Sequence, residues 1–81
     1  VGVKAFEPGE LSGRQRQVLS LAARGLRDGE IAGRLQLSRS TVRQHLCAIH
    51  QRLNARNTTH AVVIALRLKI LSLDEVSDVR N

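Results

Sequence analysis

The sequence predicts an all-α domain, four helices in a bundle-like arrangement containing a helix-turn-helix, with helices at about 13–24, 29–35, 39–54 and 59–71. Three observations predict it. Apolar residues recur at helical spacing, as in Val42, Leu46, Ile49 and Leu53, which stand at i, i+4, i+7 and i+11. Residues that cap helices precede each periodic segment: Ser12, Asp28, Ser38, and Asn57 or Thr58. Only Gln36 and Leu37 separate the second segment from the cap of the third, a connection of helix-turn-helix length.

Residues 1–10 contain the only proline, in Glu7-Pro8-Gly9-Glu10, and no sustained period, so they are expected to form a linker or arm leading into a domain of residues 11–72. Ser12 and Gln15 have the spacing of a capping box, in which hydroxyl and amide side chains each satisfy a free backbone amide at a helix start. Helix 1 then turns Val18, Leu19, Leu21, Ala22 and Ala23 inward and leaves Arg14, Arg16 and Arg24 to solvent. It ends near Gly25, a residue type suited to a helix C-terminus. Asp28 is expected to cap helix 2 and, with Glu30, sets negative charge at the positive end of that helix. Ile31, Ala32 and Leu35 supply its buried face. Gly33 costs about 1 kcal/mol relative to Ala, so helix 2 depends on tertiary packing.

Helix 3, about Arg39–Asn54, has Val42, Leu46, Ile49 and Leu53 on its inward stripe and Ser40, Arg43, Gln44, Cys47 and Gln51 on the opposite face. That outer face is polar, basic and free of acid. A major groove demands such a surface, because guanidinium and amide forks read base edges that a carboxylate approaches only against phosphate repulsion. A merely solvated helix face is the competing explanation. Helix 4 is apolar nearly all round, through Ala61, Val62, Val63, Ile64, Ala65 and Leu66, and therefore needs two buried faces. One is expected to pack on helices 1 and 3; the other is available to a partner, most simply a second copy. Residues 73–81 hold three acids and no clear start signal and read as a frayed tail.

Composition narrows the function. At 81 residues the chain is a single small domain, which excludes a two-domain enzyme. The net charge of +6 is unevenly spread: between Glu30 and Asp74 lie seven basic residues and no acid, a stretch that attracts a polyanion. A basic surface also serves solubility or touches anionic lipid, so charge alone does not select DNA. Phe6 is the only aromatic residue, which argues against single-stranded nucleic-acid modules, since these stack bases on aromatic rings. Cys47 is alone, excludes an internal disulfide and fits a cytoplasmic protein. The longest apolar run, Ala61 to Leu66, falls far short of the roughly 20 residues that spanning a membrane requires.

In this order the residues resemble the LuxR-type (NarL/FixJ-type) effector domain from Leu11 to Leu71. Leu11-Ser12-x-Arg14-Gln15-Arg16-Gln17-Val18-Leu19 resembles the opening of that family, Ala23-x-Gly25 its first turn and Glu30-Ile31-Ala32-x-x-Leu35 its scaffold helix. Ser38-x-x-Thr41-Val42-Arg43-x-His45, followed by Ile49 and Leu53, resembles its recognition helix. The resemblance implies a helix-turn-helix output domain of a bacterial transcription regulator, with helix 3 in the major groove and helix 4 at a dimer contact. Such a domain usually follows a sensory domain and needs no cofactor; double-stranded DNA, a second copy and RNA polymerase are the partners implied. The chain starts with Val rather than Met, compatible with a piece of a longer regulator and equally with loss of an initiator residue. Four places depart from the family pattern: Gln15 and Gln17 replace glutamates, Arg27 and Gly29 replace a hydroxyl residue and a base, Cys47 replaces a frequent Lys, and Thr58 replaces a frequent Arg.

Roles follow from position on this frame. Arg43, Gln44 and Cys47 are expected to contact bases, and Ser38, Arg39, Ser40, Thr41, His45 and Gln51 to contact phosphates. His45 is as readily a packing residue. Ile31, Ala32, Leu35, Val42, Leu46, Ile49 and Leu53 form the helix-turn-helix core; Val62, Val63, Ile64, Leu66 and Arg67 are assigned to dimerisation. The sigma-factor region that reads the promoter −35 element shares helices 1 to 3, but typically ends in a basic run where this chain continues into apolar helix 4. A fold-retaining interaction module, such as an anti-activator with weak or no DNA binding, is the alternative that Gly29 and Cys47 motivate. A metal site would have to draw on His45, Cys47, His50 and His60, yet His45 and Cys47 point in different directions on one helix and no set converges. No nucleophile stands beside a base, so neither catalysis nor metal binding is expected.

Overall fold

Helices α1 (Gly13–Ala23), α2 (Asp28–Leu35), α3 (Arg39–Leu53) and α4 (Thr58–Arg67), with a single turn α5 (Leu73–Val76), are the regular elements of this computed structural model, which describes residues 11–76. No strand occurs among them, in agreement with the predicted all-α class. The expected arm, 1–10, and the end of the expected tail, 77–81, lie outside the described residues.

Local chemistry explains where each helix starts. Gln15 N donates to Ser12 Oγ and Ser12 N to Gln15 Oε1, both at 3.0 Å, which closes the capping box at α1. Helix α2 begins one residue earlier than anticipated: Arg27 is its cap and Asp28 its first residue, so Asp28 does not act as the cap. Glu30 Oε1, in the first turn, accepts from the amide of the cap residue itself, Arg27 N, at 2.8 Å, the backward-reaching half of a capping box. Ser38 Oγ accepts from Thr41 N at 3.0 Å at the head of α3, and the Asn57 side chain accepts from His60 N at 2.8 Å at the head of α4.

The ends are equally specific. Gly25, at φ 96°, terminates α1 with Leu26 N donating to Leu21 O at 3.2 Å, a backbone conformation in which a Cβ would be strained. Gln36 and Asn54 adopt the same left-handed region after α2 and α3, at φ 59° and 54°. The fourth helix was expected to run to Leu71 but stops at Arg67. Lys69 turns left-handed at φ 63°, and Ile70 N reaches back to Ala65 O at 2.8 Å, a Schellman termination built on a lysine. This turn folds Ile70 and Leu71 into the core, where continued helix would have pointed them elsewhere. Arg16 Nε on α1 donates to Ile70 O at 3.0 Å and pins the turn. Beyond it, α5 packs against α1, where a frayed tail was expected.

The core is one cluster. Val18, Leu19, Ile31, Val42, Ile49, Ala61 and Ala65 are fully shielded from solvent, with Leu11, Leu21, Ala32, Leu46, Leu53, Ile70 and Leu71 nearly so. Helix α3 is central, packed on α1, α2 and α4, while α4 also packs on α1. Side chains of valine or isoleucine size contribute about 1.5–3 kcal/mol each when fully buried. Small Ala61 and Ala65 let α4 approach its neighbours closely. Leu35 and Leu37 are half-buried at the edge of this cluster.

Candidate nucleic-acid interface

Because Val42, Leu46, Ile49 and Leu53 are drawn into the core, the helical period turns Arg39, Ser40, Arg43, Gln44, Cys47 and Gln51 outward, and all six are exposed. Thr41 and His45 lie half-buried at its margin, and Ser38 is exposed at its head. The nine residues assigned to DNA contact thus belong to one helix and its cap. They differ in freedom: besides accepting from Thr41 N, the Ser38 hydroxyl donates to Thr41 Oγ1 at 2.9 Å, so both side chains are engaged in the cap. What this end offers an anion is its remaining first-turn amides and the positive end of the helix dipole.

Two contacts across the helix-turn-helix were not foreseen. Arg43 Nε donates to Asp28 Oδ2 at 3.2 Å, a pair that stays 65% and 40% exposed. A guanidinium held through Nε keeps its terminal nitrogens for a second partner. The other contact concerns Gly29: a Cβ there would stand 2.8 Å from Arg39 Nη2 and 2.9 Å from Arg39 Nε, so the Arg39 guanidinium lies directly over the glycine. A positive charge carried by α3 thus occupies the space that a side chain at position 29 would enter. Asp28 and Arg43 are fifteen positions apart, and no local spacing rule signals such a pair; the absent side chain at Gly29 was the one visible clue.

Two of the three histidines, His50 and His60, make hydrogen bonds within the domain. His50 Nε2 lies 3.0 Å from Thr58 Oγ1, tying α3 to the start of α4, and His60 Nδ1 accepts from Arg56 N at 3.1 Å. Among the described residues no three of His, Cys, Asp and Glu are arranged to hold a metal ion. Of the residues assigned to dimerisation, Val62, Ile64 and Leu66 are half-buried against the core, whereas Val63 is 48% exposed and Arg67 is exposed. No helix among the described residues is long and apolar enough to cross a membrane.

Comparison with known proteins agrees with this geometry. The model of the family described as bacterial regulatory proteins, luxR family (GerE), matches residues 9–65, more than half of the chain. The chain is 39% identical over 62 residues to the transcriptional activator protein BjaR1 of Bradyrhizobium diazoefficiens, covering 76% of this chain and 26% of that protein. It is 46% identical over 54 residues to the transcriptional regulatory protein YxjL of Bacillus subtilis, covering 67% and 25%. To the quorum sensing-dependent transcriptional regulator VjbR of Brucella ovis it is 42% identical over 66 residues, covering 82% and 26%. The chain thus spans about a quarter of the length of these relatives. Helical order, an outward polar face on α3 and the family match converge: this chain belongs to the luxR family of bacterial regulatory proteins, as the helix-turn-helix DNA-binding domain of that non-enzymatic family.

Proposed function

We propose that the domain binds double-stranded DNA sequence-specifically, with α3 in the major groove, and serves as the output module of a bacterial transcription regulator acting in the cytoplasm. The observation that carries this reading is the exposed face of α3, which has no acidic residue of its own and on which Arg39, Arg43 and Gln44 stand together while the opposite stripe is buried. Arg43 and Gln44 have the forked donors that pair with guanine and adenine edges, each such contact discriminating by roughly 1–3 kcal/mol. Cys47, one turn on, offers an apolar contact such as a thymine methyl accepts. Arg39, Ser40, His45, Gln51 and the remaining first-turn amides at the head of α3, beside Ser38 and Thr41, serve the phosphates.

Dimerisation through α4 is part of the proposal. Val63 is a large apolar side chain left exposed on a helix whose other face is in the core, and Arg67 lies one turn beyond it. RNA polymerase is the further partner the family role suggests. An interaction module with weak DNA binding remains the second reading, favoured by the Asp28 carboxylate on Arg43; the Arg39 guanidinium over Gly29 weighs against it. Selection from random duplexes, then titration at several salt concentrations, tests the proposal. A preferred site and a log–log salt slope of about −0.9 for each phosphate neutralised are expected. No binding to random duplex at low salt refutes it in favour of the interaction module.

A further inference from the structure

Asp28 meets the recognition helix in a place where a carboxylate works against binding. Its pairing with Arg43 is too exposed to contribute much to stability. Beside a polyanion, its charge also opposes the general attraction of the basic surface. What the contact does supply is geometry. Arginine has a long, rotamer-rich side chain that must be ordered on binding, and one anchored beforehand loses less on meeting its target. Asp28 takes the Nε of Arg43 at 3.2 Å, and the guanidinium is a rigid plane, so this one bond restricts where the terminal nitrogens can point.

We infer that Asp28 is a positioning residue for sequence reading: it anchors Arg43 through Nε so that the terminal edge of the guanidinium is presented to a base and kept from the phosphates. The inference rests on the reading of Arg43 as a base contact. Asp28 acts in two ways at once. It preorganises the correct contact, and its charge weakens complexes in which that contact is missing. Discrimination between sequences gains while generic affinity falls.

The experiment compares the full chain with Asp28→Asn, Asp28→Glu, Arg43→Ala and the double variant Asp28→Asn/Arg43→Ala, titrated on the selected duplex, its single-base variants and random DNA. Circular dichroism melts establish that each variant is folded; Asp28→Glu keeps the charge within reach of the guanidinium and serves should Asp28→Asn melt early. Asp28→Asn is expected to raise affinity for random duplex and steepen its salt slope. It should also lower the preference at the base pair read by Arg43 by about three- to tenfold, the size of a coupling between residues in contact. Asp28→Glu should retain most of that preference, and Asp28→Asn should not alter it once Arg43 is alanine. If Asp28→Asn strengthens selected and random duplexes equally, Asp28 merely competes with DNA for Arg43 and the inference is overturned. If Arg43→Ala itself loses affinity equally on every sequence, the base-reading role of Arg43 fails and the inference falls with it. A preference lost in Arg43→Ala but intact in both Asp28 variants overturns the positioning role alone.

Discussion

Helix α2 contains two glycines, Gly29 and Gly33, and replacing each with alanine should separate stability from DNA affinity. Glycine inside a helix costs about 0.5–1 kcal/mol relative to alanine, because its unfolded chain has more freedom to lose. Nothing lies within 4 Å of a Cβ built on Gly33, so Gly33→Ala should gain that stability and leave binding unchanged. A Cβ on Gly29 would meet Arg39 at 2.8–3.1 Å, against ordinary contact at 3.4–4 Å, so the guanidinium must retreat by roughly 0.6 Å or more. Because the obstructing atoms end a flexible side chain, Gly29→Ala should keep most of the same gain. For a domain of this size the gain corresponds to a Tm rise of roughly 2–8 °C. Its DNA affinity should instead fall by up to about tenfold, equally on all duplexes, with a salt slope shallower by as much as about 0.9 if a phosphate contact is lost. Thermal melts and titrations at three or more salt concentrations, run side by side on both variants, provide the measurement. A Gly29→Ala protein that binds like Gly33→Ala would refute the idea that Gly29 seats Arg39 for a phosphate.

Other expectations concern caps, strain and the free face of α4. Ser38→Ala removes the acceptor for Thr41 N and should cost about 1 kcal/mol, seen as a Tm drop of roughly 4–8 °C, with affinity lowered on all duplexes alike; selective loss on one sequence would contradict it. Lys69 occupies the left-handed region at φ 63°, so Lys69→Gly should raise stability by about 0.5–1 kcal/mol in a denaturant titration, and a lowered midpoint would count against strain there. Val63→Glu should leave the circular dichroism spectrum intact and weaken self-association in sedimentation, since Val63 is exposed. Ile64→Glu should instead destabilise the fold, because Ile64 packs against the core. A Val63→Glu protein that assembles as before would move the dimer contact off this part of α4.

What could be read locally was legible in the sequence. The capping box at Ser12 and Gln15, the glycine stop at Gly25 and the stripe Val42, Leu46, Ile49 and Leu53 rest on interactions within four residues or on one helical period, and each occurs in the structure. The outward face of α3 followed from the same period. Tertiary packing decided the remainder. Helix α4 ends at Arg67 although Leu68, Ile70 and Leu71 continue its apolar character, because the turn at Lys69 lets Ile70 and Leu71 fill the core and meet Arg16. Asp28 has the residue type of a cap, but α2 starts at Asp28 with Arg27 as its cap, and the Asp28 carboxylate is turned to Arg43. The same crossing of α2 and α3 lays Arg39 over Gly29. Periodicity and capping arise from the backbone of a single helix and are written in its own residues. The placement of these two arginines depends on how two helices cross, which is a property of the packed core and not of either helix alone.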